Sequence, residues 1–212
     1  ISYGERPCAG KEGVEVLEKI WVFYGKTEAL TGRVEERGEK GRTETRAGRM
    51  LLKHALKQLY GFSFPEGEEG LAQLEGMLTK EQNGKPYLHG YPEIHFNISH
   101  SGEYAVCAAA GIPVGIDIQV RQPVRGKRLL ERTMNAGEQE AVRDAEDSEM
   151  AFAVFWAQKE SYLKWSGEGI TRNLSELSME NAVMEEIPIE KDYVCQVCAA
   201  VPFQWETIKL PA

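Results

Sequence analysis

Four groups of residues in this chain have types and spacings that could do chemistry. Asp117 and Gln119 stand two apart in the alternating run Val114-Gly-Ile-Asp-Ile-Gln-Val120. On a strand that spacing puts both on one face, about 6.8 Å apart, opposite a face that is wholly apolar. A polar face of this kind has to look at solvent or at a site. Glu160 and Lys164 continue the i, i+4 stripe of Phe152 and Trp156 on a helix predicted over 150–165. A surface Glu–Lys pair sits opposite the apolar stripe and is worth only about 0.3–0.5 kcal/mol. This pair extends the stripe, as expected at the edge of a cleft that holds something charged. His100 lies in Phe96-Asn-Ile-Ser-His-Ser-Gly102, where a tight Ser/Gly turn after a strand could aim an imidazole at a ligand. Asn83-Gly-Lys-Pro86 is a further predicted turn, carrying Lys85 as a projecting cation.

The elements that must position these groups follow from periodicity. Ala47, Met50, Leu51, Ala55 and Leu59 fall at helical spacing and predict an amphipathic helix over 45–60, ended by Gly61. Residues 65–70 read as loop. Ile94, Phe96 and Ile98 alternate with polar residues, which is strand spacing, and 104–110 reads as a buried strand. Segments 193–200 and 205–210 read as closing strands. Ala105-Val-Cys-Ala-Ala109 recurs as Gln196-Val-Cys-Ala-Ala200, each after a helix. The expected fold is α+β, in two similar halves, 1–110 and 111–212.

Composition narrows the function classes. The 212 residues are 42% hydrophobic and 27% charged, which is ordinary for a globular chain and excludes disorder, collagen and coiled coil. The longest purely apolar runs, such as Ala151–Ala157, fall far short of the roughly 20 residues a bilayer span needs. Charges at Glu5, Arg6, Lys11, Glu12, Glu15, Glu18 and Lys19 leave no apolar core for a secretion signal. A cytoplasmic protein with no membrane partner is expected. A net charge of −8 argues against bulk nucleic-acid binding. Basic side chains nevertheless cluster over 33–53 (Arg33, Arg37, Lys40, Arg42, Arg46, Arg49, Lys53) and 121–132 (Arg121, Arg125, Lys127, Arg128, Arg132). These patches fit a small anionic ligand or an acidic partner; solvated helix faces are the alternative. Cys195 and Cys198 form a CxxC, but i and i+3 on a strand point to opposite faces, which speaks against a redox or metal pair.

Gly84-Lys-Pro-Tyr87, Phe96-Asn-Ile-Ser-His-Ser101, Val114-Gly-Ile-Asp-Ile118 and Trp156-Ala-Gln-Lys-Glu-Ser-Tyr-Leu-Lys164 occur in that order. The ordered set closely resembles the two-domain, Sfp-type 4′-phosphopantetheinyl transferases, from about Lys40 to Gly169. The resemblance implies a pseudo-dimer of two α+β halves, acting as a monomer, with the active site in the cleft between them. It implies coenzyme A as donor, Mg²⁺ as cofactor, and transfer of the phosphopantetheine arm to a serine of an acyl or peptidyl carrier protein, releasing adenosine 3′,5′-bisphosphate. Carried over by residue, Asp117 and Glu160 would ligate the metal and Lys164 would contact the phosphates. His100 and Ser99 would lie at the 3′-phosphate, Lys85 and Pro86 at the adenine end, and Lys40, Thr45 and Arg46 near the nucleotide. Glu160, or a metal-bound water, would take the serine proton. Many members carry a second acid where this chain has Gln119, whose amide oxygen could still ligate the metal without adding charge. The segment Arg121–Met134 is expected to dock the carrier, with Leu129, Leu130 and Met134 inside a cationic rim.

Two other functions fit parts of this pattern. A non-catalytic coenzyme A or carrier-binding module would have little need of Glu160, Lys164 and His100 together. A metal-dependent phosphohydrolase would need a His/Asp-rich cluster that the sequence lacks.

Overall fold

A computed structural model of the chain describes residues 17–32, 40–124, 126–169 and 173–211. In chain order the elements are β1 (Glu18–Lys26), α1 (Thr27–Thr31), α2 (Lys40–Tyr60), α3 (Gly67–Met77), β2 (Leu78–Lys80), β3 (Pro86–Leu88), β4 (His95–Ser101), β5 (Tyr104–Ala110), β6 (Gly115–Val120), α4 (Lys127–Thr133), α5 (Ala136–Asp144), α6 (Ser148–Ser166), β7 (Val183–Glu186), β8 (Tyr193–Ala199) and β9 (Phe203–Lys209). The chain is α+β, as its periodicities predict.

Two sheets carry the fold. The first runs β4-β5-β1-β9, antiparallel except for the parallel pair β1/β9; the second is antiparallel, β6-β8-β7. Alternation sorts the side chains. From the first sheet Ile20, Val22, Val106 and Ala108 point into a shared core with Ile116, Ile118, Cys195 and Val197 of the second. Phe23, Ala105, Cys107 and Ala109 point the other way, onto Ala47, Leu51, Leu52, Ala55 and Leu56 of α2. Tyr162 and Leu163 of α6 cover the far side of the second sheet, against Cys198. The layers are therefore α2, sheet, sheet, α6. Each fully buried Leu, Ile, Val or Phe contributes roughly 1.5–3 kcal/mol to holding them together.

The repeated Val-Cys-Ala-Ala segments occupy corresponding places. One lies in β5 between β4 and β1, the other at the end of β8 between β6 and β7, running one residue past the strand, and each strand is backed by a long helix. The first sheet also draws β9 from beyond residue 110, in the register Glu18↔Phe203 to Tyr24↔Lys209.

Three local expectations need correction. α2 begins at Lys40, earlier than the apolar stripe alone indicates. Gly67 already opens α3, with Glu68 and Glu69 in the first turn, where the helix dipole favours acids. Ser99–Ser101 belong to β4 and make no turn; the reversal falls at Gly102, whose φ of 55° suits a residue without a Cβ.

Gly115 is where α6 meets the second sheet. A Cβ there would lie 2.0 Å from the Ser161 carbonyl oxygen and 2.6 Å from the Trp165 nitrogen, both of them backbone. Gly115→Ala is therefore expected to destabilise by about 1–3 kcal/mol or more, read as a lowered urea midpoint. Gly111→Ala, with nothing within 4 Å of the added carbon, should stay within about 0.5 kcal/mol of the parent.

Candidate functional site

The site grows from the alternation of β4. Phe96, Ile98 and His100 face α2: Phe96 is buried in its core, Ile98 lies under Gly48, and His100 Nδ1 is 3.3 Å from Glu44 Oε2. Asn97, Ser99 and Ser101 face β6. Every second amide of β6 points away from β8, and these three side chains receive them. Ile116 N donates to Asn97 Oδ1 (3.0 Å), Ile118 N to Ser99 Oγ (3.3 Å) and Val120 N to Ser101 Oγ (3.0 Å). Two sheet edges are thus joined through side chains at a constant offset of 19 residues.

Gly115, Asp117 and Gln119 share the other face of β6, beneath α6. The polar face of this strand consequently does not look at bulk solvent: Asp117 is 2% exposed. Its Oδ1 accepts from Ser99 Oγ (2.7 Å) and from Lys164 Nζ (2.5 Å), and its Oδ2 accepts from Gln119 Nε2 (2.7 Å). Lys164 Nζ also donates to Ser99 Oγ (2.9 Å) and to the Ile116 carbonyl (3.2 Å). Gln119 presents its amide nitrogen to Asp117, so service as an oxygen ligand beside Asp117 requires the amide to turn over.

Glu160, one turn before Lys164, completes the group. Its Oε1 is buried without a hydrogen-bond partner. Burial pushes its carboxyl above the usual carboxylate range, the charge of Asp117 adds to the rise, and Lys164 opposes it. Two coupled carboxylates with one unpartnered buried oxygen and a single ammonium form an electron-rich site of hard oxygen donors, which is the donor set Mg²⁺ prefers. Among the described residues no group of three or more His, Cys, Asp or Glu side chains is placed to hold a metal.

Other expected site residues are placed differently. Lys85 does not project. Its Nζ donates to the Lys164 carbonyl (2.7 Å) at the end of α6, and burial pushes its ammonium below the ordinary lysine range. Asn83 Nδ2 donates to the Gly167 carbonyl (2.7 Å), so the 83–85 turn clasps the last turn of α6. Pro86 lines a cavity of about 220 Å³ with Tyr87, His95 and Trp165. Thr45 and Arg46 line a separate cavity of about 650 Å³ between α2 and α3, where Arg46 forms a two-pronged pair with Glu68, 2.7 Å at each contact. The side chain of Lys40 and residue Arg125 lie outside the described residues.

The expected docking segment is also revised. Met134 is fully buried, against Val142 and Phe152, and Arg121 is held by Asp147, Glu149 and Asp192. Leu129 and Leu130 are half-buried, while Lys127, Arg128 and Arg132 are exposed. The CxxC sulfurs diverge as expected, Cys195 into the inter-sheet core and Cys198 toward α6. Burial pushes both thiols up, Cys198 to about 12.

Lys159 is a residue that sequence reasoning missed. It is fully buried, 2.9 Å from Glu138 Oε2 and 2.8 Å from the Leu174 carbonyl. The signal was available: α6 is apolar on nearly every side, so a lysine in its middle has no solvent face and must find a partner.

Comparisons with known proteins agree on one family. A model of the 4′-phosphopantetheinyl transferase superfamily matches residues 113–209. The chain is 30% identical to a 4′-phosphopantetheinyl transferase of Bacillus subtilis over 227 residues, 94% of this chain and 91% of that protein. The 4′-phosphopantetheinyl transferase Sfp of B. subtilis strain 168 matches with the same identity and coverage. The 4′-phosphopantetheinyl transferase psf-1 of Bacillus pumilus is 35% identical over 133 residues, 62% of this chain and 53% of that protein.

Lys85→Met should release the end of α6. Leaving the Lys164 carbonyl without its donor is expected to cost about 1–3 kcal/mol by urea unfolding. Amide exchange should quicken in the last turn of α6; unchanged exchange there would show that the clasp does not hold the helix end.

Proposed function

The chain belongs to the 4′-phosphopantetheinyl transferase superfamily, and we propose that it moves the phosphopantetheine arm of coenzyme A to a serine of an acyl or peptidyl carrier protein, releasing adenosine 3′,5′-bisphosphate. The observation that carries this is the pairing of Asp117 with Lys164 beside Glu160, whose buried Oε1 has no partner. A site with two acids and one cation suits a pyrophosphate and a divalent ion arriving together.

In this proposal Asp117 and Glu160 would hold Mg²⁺, and Gln119 would join them with its amide turned over. Bound there, Mg²⁺ would neutralise charge on the pyrophosphate oxygens. Lys164 exchanges its contact with Asp117 for the phosphates and offsets negative charge on the departing bisphosphate. Glu160 takes the proton of the carrier serine. His100, exposed and oriented by Glu44, meets the 3′-phosphate, and the adenine lies toward Pro86. The halves 1–110 and 111–212 each centre on one helix-backed sheet, the first sheet taking β9 from the second half, and act as a pseudo-dimer with the donor in the cleft along the β4–β6 seam. The protein works as a monomer in the cytoplasm, where Cys107, Cys195 and Cys198 stay as free thiols. No helix among the described residues is long and apolar enough to cross a membrane.

Intact-mass measurement of a carrier panel, incubated with coenzyme A and Mg²⁺, tests the proposal. A carrier that gains the arm supports it; carriers left unchanged throughout would point to a binding module. Asp117→Ala and Glu160→Ala should each lower kcat/KM by about 100-fold or more. Near-parental turnover of either variant at low Mg²⁺ would remove that residue from the metal site.

The exposed Arg128 and Arg132 are proposed to steer an acidic carrier onto α4. Reversing both (Arg128→Glu with Arg132→Glu) should slow transfer by about tenfold at low salt, less at high salt, with coenzyme A binding unchanged. Unaltered transfer at low ionic strength would place docking elsewhere.

A further inference from the structure

We infer that Ser99 is a positioning residue, whose hydroxyl fixes the direction of the Asp117 carboxylate and the Lys164 ammonium and makes no contact with the donor. Its role rests on the transferase function proposed above.

A serine hydroxyl has one proton to donate and two lone pairs to accept with. At Ser99 all three are used. The proton goes to Asp117 Oδ1 (2.7 Å), and the oxygen accepts from Lys164 Nζ (2.9 Å) and Ile118 N (3.3 Å). The residue is 5% exposed. No capacity is left for a phosphate oxygen, so the expected contact with the 3′-phosphate falls to its neighbour His100 alone.

The three bonds tie together three separate elements. Ser99 comes from β4, Asp117 from β6 and Lys164 from α6. Asp117 Oδ1, Lys164 Nζ and Ser99 Oγ form a closed triangle in which each atom is bonded to the other two. An isolated carboxylate can rotate about its Cβ–Cγ bond. Asp117 is held on Oδ1 by Ser99 and Lys164 and on Oδ2 by Gln119, and Ser99 is anchored in turn by the β6 backbone. When a substrate draws Lys164 away, Ser99 remains on Oδ1. The carboxylate then keeps its direction through the exchange of partners.

Ser101 supplies a matched control. It faces β6 and receives Val120 N (3.0 Å) just as Ser99 receives Ile118 N, but it has no hydrogen bond to Asp117 or Lys164. Losing either hydroxyl removes one seam bond; only Ser99 also orients the acid.

The test compares parent, Ser99→Ala, Ser99→Cys and Ser101→Ala, with coenzyme A and with dephospho-coenzyme A as donors. Ser99→Ala is expected to lower kcat by about tenfold or more, since a misplacement of about 1 Å can cost about 100-fold. KM for coenzyme A should stay within about twofold, and the loss should be equal for both donors. Mn²⁺ titration by electron paramagnetic resonance, without carrier, should show weaker binding in Ser99→Ala. Ser101→Ala should match the parent in kcat and Mn²⁺ affinity while sharing the drop in urea midpoint. Ser99→Cys keeps the volume with a feeble donor, and decides the matter in the same direction should Ser99→Ala not fold. A KM rise for coenzyme A but not for its dephospho form would make Ser99 a phosphate reader and overturn the inference. Equal losses in Ser99→Ala and Ser101→Ala, or unaltered kcat and Mn²⁺ affinity in Ser99→Ala, would overturn it too. A parent protein that transfers no arm to any carrier overturns the proposed function instead, and the Mn²⁺ comparison still judges Ser99.

Discussion

A sheet edge must find partners for its outward amides, and the way β6 does so governs the rest of this molecule. Asn97, Ser99 and Ser101 replace the backbone of a neighbouring strand with their side chains. A backbone ladder would have merged the two sheets into one continuous surface. The side-chain version lets the sheets stack face to face over a dry core while one pair of edges stays locked in register. That lock sets Asp117 beside Ser99, and the close approach at Gly115 sets α6, with Lys164, above both. A slip of one residue at the seam would turn Asp117 into the apolar core and Ile116 or Ile118 toward α6.

Charge in the interior is handled in two ways. Lys159 and Glu138 are fully committed: the same Glu138 Oε2 also receives Asn135 N, so the ion pair doubles as the cap of α5. Such a buried pair offers little net stability over apolar residues but is costly to break from one side. It fixes α5 and the turn at Leu174 to α6. The Asp117–Lys164–Glu160 group is balanced differently, with an excess of acid over base and an oxygen left over. Structure is rigid where the balance closes, and chemistry is open where it does not.

Much of this was legible in the residues. The period-2 runs show β4 and β6 and the shared face of Asp117 and Gln119, the continuous apolar run shows β5, and strand geometry shows the divergence of Cys195 from Cys198. Glu160 and Lys164 were legible as charges extending an apolar stripe. What the sequence hid depended on contacts far apart in the chain. Ser99 and Ser101 read as turn formers because Ser and Gly favour turns locally, and Asn97 only as a polar position on a strand, whereas a sheet edge uses all three as acceptors. Lys85 looked like an exposed cation because its partners lie 79 residues on, at the end of α6. Met134 reads as a docking contact because the resemblance puts carrier docking on Arg121–Met134, and only the packing of Val142 and Phe152 shows it to be core. Arg46 looked available for a nucleotide until α3, hidden in a stretch read as loop, supplied Glu68.

The pairing of β1 with β9 has a bearing on how the chain comes to be folded. β1 is an inner strand of its sheet, yet one of its two flanks is filled by a segment more than 180 residues later. Loop closure over that distance is slow, and contacts of long sequence separation form late. On the ribosome, β5 can find β1 early, but the outer side of β1 stays open until β9 emerges. Until then Ile20, Val22 and Phe23 lie in a sheet with an unprotected edge, a surface prone to mispairing with other chains. The same long-range strand that closes the sheet makes a fragment ending before it an incomplete folding unit, whatever catalytic residues it already contains.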